Sequence, residues 1–84
     1  MAVAPPKTIQ EVIVEFLGSA PTAEEIVAFE LPEDLQRRAL DLLERNRQGI
    51  LTPDERAELD DFSRLGHLMN MITLRARLKL AGMA

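Results

Sequence analysis

Asp60, Ser63 and His67 stand one helical turn apart, and they come nearest in this chain to an acid, a nucleophile and a base in one row. A hydroxyl activated by a histidine also needs oxyanion donors and a cleft to hold the substrate. Three residues along one convex helix face supply neither, so the spacing predicts no catalytic triad. His67, the single histidine, reads as a surface or interface residue. The carboxylate pairs Glu24 with Glu25 and Asp60 with Asp61 are adjacent in sequence, which sends them to different sides of a helix and into solvent. No glycine-rich phosphate loop and no His-x-x-x-His pair occurs. The expected catalytic set is therefore empty, and the chain reads as no enzyme.

Residues 44–55 come closest to a metal site. Counted from Glu44, they place Asn46 and Gln48 at the third and fifth positions, Gly49 at the sixth, Leu51 at the eighth and Glu55 at the bidentate twelfth of an EF-hand calcium loop. Calcium affinity depends on clustered carboxylates. Here two ligands would be neutral amides, with Arg45 and Arg47 between them, and a helix-ending glycine followed by a new helix start explains the same residues. A degenerate calcium module is thus a remote alternative, and neither a metal nor a cofactor is expected.

The elements that carry these residues are helices. Thr8 with Glu11, Thr22 with Glu25 and Thr52 with Glu55 repeat one helix-start signal, in which the threonine hydroxyl and the glutamate carboxylate each satisfy an amide that the first turn leaves unpaired. Pro53 fits the first helical position of the third copy. Leu31 to Asp34 mark a further start. Gly18 to Pro21, Pro32 and Gly49 provide the breaks. The reading is all-α: three to four helices, at about 8–17, 22–30, 32–47 and 53–80, in one small domain whose residues 1–7 are disordered. Residues 26–31 have strand-like composition, but no partner strand exists for a sheet.

The last helix is the unusual one. Continuous from Pro53 to Leu80 it would be about 40 Å long, more than the roughly 30 Å span of a compact domain of this size. Gly66 is its weak point, yet nothing beside it signals a turn, so the expectation is an unbroken helix whose C-terminal half extends beyond the domain. Leu59, Phe62, Leu65, Met69, Ile72, Ala76 and Leu80 form one stripe, the expected core face, with Leu68 at its edge. Met71, Leu74 and Leu78 form a second stripe almost opposite, together with His67 and flanked by Arg64 and Arg75. A helix apolar on two sides is either sandwiched or paired with something outside its domain. Arg64, His67, Met71, Leu74, Arg75 and Leu78 are accordingly the candidate partner-binding residues. The plainer alternative folds the first helix over this stripe.

Charge sharpens the picture. Residues 1–63 hold six Lys/Arg against fourteen Asp/Glu, whereas residues 64–84 hold four cations and no acid. An acidic body with a basic end suggests an interaction segment, although cations also favour a helix C-terminus. Nucleic acid is disfavoured as partner: the cations are spread around the helix, and neither Trp nor Tyr is present to stack on bases. No apolar run is long enough for a membrane span, and the first residues lack the pattern of a signal peptide, so the expected compartment is the cytoplasm. The absence of cysteine agrees with a reducing compartment.

Glu25 and Ile26, the run Leu42 to Asn46, the run Gly49 to Asp60, and Leu68, Arg75, Ala76 and Arg77 resemble a family of small, uncharacterised, all-helical bacterial proteins. The likeness covers most of the chain from residue 8 onward. Members are often encoded beside HNH-type nucleases or similar toxins, so the resemblance implies an antitoxin-like or nuclease-accessory role and a nuclease or toxin as protein partner. The reading that follows is a non-catalytic protein-binding module docking through its long C-terminal helix. A self-assembling structural homodimer is the alternative. Because Thr52 caps that helix, Thr52→Ala is expected to cost about 1 kcal/mol; an unchanged thermal midpoint would place the helix start elsewhere.

Overall fold

A computed structural model describes residues 8–83; the disorder expected of residues 1–7 falls outside them. The described residues form four helices and no strand: α1 (Ile9–Gly18), α2 (Ala23–Val27), α3 (Glu33–Arg47) and α4 (Pro53–Leu80). Threonines cap three of them as their spacing predicts. In α2 and α4 the box is reciprocal: the Glu55 amide donates to Thr52 Oγ1 at 3.1 Å, and the Thr52 amide donates to Glu55 Oε1 at 3.0 Å. α3 starts on Pro32 without a side-chain cap, and Gln36 instead donates to the Leu31 carbonyl at 2.7 Å.

Two helices end alike. Gly49 and Gly82 take φ of 74° and 72°, and the residue after each donates back to the carbonyl five residues earlier, Ile50 to Arg45 and Met83 to Leu78. This double-bonded end needs a left-handed residue, which glycine adopts without a Cβ penalty. α1 ends differently. Gly18 stays helical and Ala20 takes φ of 55°, and the next residue is Pro21, which has no N–H to complete the second bond.

α2 is shorter than expected, ending at Val27 and not near Glu30. Pro32 restricts the residue before it to extended backbone, so the chain leaves the helix early. Phe29 and Leu31 then turn inward, and the rings of Phe29 and Phe16 lie 4.3 Å apart between centroids. That contact gives the strand-like segment its role.

Every extensive helix contact involves α4. Its first half packs on α3 around Leu35, Leu42 and Leu59, of which Leu42 is fully buried. Its second half packs on α1 and α2 around Ile9, Ile13 and Met69, joined by Phe62, Leu65 and Ile72. The C-terminal half is therefore not bare: it is lined on one side as far as the buried Ala76. One expected core residue is not in the core: Leu80 lies past the last packed turn. Leu43 points off the face that α3 presents to α4, and both are about half exposed. The molecule measures 46 × 37 × 17 Å, and its thin dimension fits only two layers of helix at 8–10 Å spacing.

α4 runs unbroken through Gly66, and a Cβ built there would meet nothing within 4 Å. Gly66→Ala is therefore expected to raise stability by roughly 0.5–1 kcal/mol, the difference between these residues inside a helix. A lower midpoint by calorimetry would mean that Gly66 serves a close approach the geometry does not show.

Candidate functional site

The outer face of α4, opposite the packed layer, carries the six candidate residues. Met71 and Leu74 are 55% and 58% exposed, Arg64, His67 and Arg75 are exposed, and Leu78 is half-buried. α1 does not fold over them, because it packs on the Met69 side instead. The four apolar or aromatic-ring residues keep the order His67, Met71, Leu74, Leu78, with Leu68 alongside at 43% exposure. Asp60 and Ser63 continue the same face towards the N-terminus and are exposed too. His67 therefore stands on an open convex surface with no enclosing wall, the arrangement that lacks an oxyanion pocket.

The calcium-like loop is closed by arginines. Glu55 gives Oε1 to the Thr52 amide and Oε2 to Arg45; Asn46 accepts from Arg56 at 2.8 Å; Glu44 accepts from Arg47 and from the Gln48 amide. Glu44, Asn46 and Glu55 thus already accept from donors of the chain, and among the described residues no group of three His, Cys, Asp or Glu is placed to hold a metal ion.

A concavity lies elsewhere, a groove of about 600 Å³ where the N-terminal ends of α1, α3 and α4 meet. Ile9, Leu35 and Phe62 form its floor, and Asp34, Asp54, Glu58 and Asp61 its rim. Arg38 bridges the rim to Glu58 through two hydrogen bonds of 2.7 and 2.9 Å, a forked pairing between α3 and α4. Besides carboxylates the groove offers the Thr8 hydroxyl, which accepts from the Glu11 amide as the cap of α1. Sequence reasoning missed this clamp, since nothing in the spacing of residues 38 and 58 announces it. It also missed a second uncovered apolar strip, Leu40 and Ile50 beside Leu43, whose exposure depends on what α3 packs against.

Comparison of the chain with models of protein families, with curated proteins and with solved structures gave no match. Fold and surface together define a small all-helical protein in which a long helix is covered on one side. No helix among the described residues is long and apolar enough to cross a membrane.

The Arg38 hydrogen bonds hold the Glu58 carboxyl below its ordinary value of 4.5, against the opposing effect of burial. The Thr52 amide does the same for Glu55, with Arg45 adding to it. A carboxyl lowered in the folded state contributes stability that is present above its unfolded value and lost as pH falls through the folded one. The thermal midpoint is therefore expected to drop on acidification below about pH 4.5, and less steeply in Glu58→Gln. Equal slopes in the two proteins would show that the clamp does not set the acid response.

Proposed function

We propose that this chain is a non-catalytic protein-binding module of the bacterial cytoplasm, with an antitoxin-like or nuclease-accessory role, docking through the outer face of α4. One observation carries the reading: Met71 and Leu74 are more than half exposed on the side of α4 that α1, α2 and α3 leave uncovered. Large apolar side chains repeated along one helix face suit helix-in-groove recognition, where anchors recur every three or four residues. Arg64 and Arg75 beside them supply planar donors, and Met71 an adaptable contact. The nuclease or toxin partner is what the family resemblance implies. Protein is favoured over nucleic acid because the face is apolar at its centre and its cations do not form one stripe.

The test is Leu74→Asp. Because Leu74 is exposed in the free chain, the variant keeps its helicity and, at low concentration, its thermal midpoint to within about 0.5 kcal/mol. A carboxylate buried without a partner at a contact is strongly penalised, so capture of a co-expressed nuclease or toxin partner is lost. A folded variant that captures the partner as well as wild type would remove this face from the function.

A further inference from the structure

The outer face of α4 has the geometry of a coiled-coil seam. Asp60, Arg64, His67, Met71, Leu74 and Leu78 follow one another at intervals of four, three, four, three and four, the alternation that keeps one stripe facing a partner helix. The positions diametrically opposite, Phe62, Met69 and Ala76, also recur every seven residues, and they face the chain's own core. The seam and the core therefore use opposite sides of the same helix.

Charge is split along this helix. Residues 53–63 hold five carboxylates against Arg56, a balance of −4, and residues 64–80 hold four cations and no carboxylate, +4. Much of the acidic half is tied down by its own chain, Glu55 by Arg45, Glu58 by Arg38 and Asp61 by Arg64. The basic end is not: among the described residues Arg75, Arg77 and Lys79 enter no ion pair, whereas Arg37, Arg38, Arg45, Arg47 and Arg64 all do.

We propose that the partner seated on this face is a second copy of the chain, its α4 running antiparallel to the first. This deepens the docking reading and rests on it. Antiparallel pairing sets the acidic half of each α4 against the basic half of the other; parallel pairing would set Asp60 on Asp60 and Arg64 on Arg64. With the seam residues in antiparallel layers, His67 meets Met71 of the partner copy, Arg64 meets Leu74, and Asp60 meets Leu78. On one flank Asp61 then lies against Arg75 of the other copy, twice by symmetry, and Leu68 lies against its own counterpart across the two-fold axis. The arrangement accounts for the exposure of Leu68, Met71 and Leu74 and for the unpaired Arg75 together. A heterologous protein on the same face would exclude the second copy, so its binding would release monomer.

The experiment uses the full chain in sedimentation equilibrium. Wild type is expected at twice its 9.4 kDa mass, with a dissociation constant that rises with salt. Leu74→Asp is expected at monomer mass with unchanged helicity. Orientation is read with single cysteines, since the chain has none of its own: Leu68→Cys forms a disulfide-linked dimer on mild oxidation, and Leu78→Cys does not. Arg75→Glu weakens the dimer several-fold, and adding Asp61→Lys restores it. Wild type monomeric at several hundred micromolar would overturn self-pairing while leaving docking to another protein untouched, because the loss of partner capture in Leu74→Asp reads that separately. A dimer cross-linked through Leu78→Cys and not through Leu68→Cys would overturn the antiparallel arrangement.

Discussion

A 28-residue helix in a chain of 84 residues sets the terms for everything else. α4 is about 42 Å long, and α1, α2 and α3 are about 15, 8 and 22 Å. Laid beside it, those three segments cover its length roughly once, and therefore one of its sides. The core is in consequence a line and not a ball: the buried residues are strung along α4 from Leu59 to Ala76, and Leu42 alone is sealed from solvent completely. Among the described residues no buried polar side-chain atom lacks a hydrogen-bond partner. The other side of α4 stays exposed as an apolar strip that the other described helices leave uncovered.

The charges are arranged around the same spine. Arginines of α3 reach across to carboxylates on the first half of α4, and the forked Arg38 to Glu58 bond with the Arg45 to Glu55 pair holds the two helices as a hairpin. Partly exposed pairs of this kind contribute modestly to stability, but they fix how the two helices face each other. Around the loop between them Glu44, Asn46 and Glu55 are partners for Arg47, Arg56 and Arg45. Among the described residues Arg75, Arg77 and Lys79 at the far end of α4 enter no ion pair, and neither do Asp54 and Asp60 on its first half. This distribution favours association of the basic end with something acidic, including the first half of another α4.

A groove of about 600 Å³ is rimmed by acids, with its arginine already bound, and the exposed histidine stands on a convex face. The long apolar strip is the feature with no intramolecular explanation. The strip formed by Leu40 and Leu43 on α3 and by Ile50 in the loop after it is shorter and is interrupted by charged residues, so it weighs less as a docking surface.

Much of the secondary structure was legible in the chain before any tertiary contact was known. The threonine and glutamate pairs, Pro53, and Gly49 act through bonds within a few residues, so they place helix starts, that of α4 at Pro53 among them, and the end of α3. The second apolar stripe was legible as well, because a helical period depends on local geometry alone. Other features depended on which elements meet in space. Whether Leu43 and Leu80 were buried, whether α1 covered Met71 or Met69, and whether Arg38 would find Glu58 twenty residues away all turn on which side of α4 the short helices occupy. The stacking of Phe29 on Phe16 is likewise a contact between segments that the local pattern does not see. A sequence specifies the faces of a helix through its period, but burial is a relation between two faces, and only packing selects which one α4 keeps for its own core and which it leaves open.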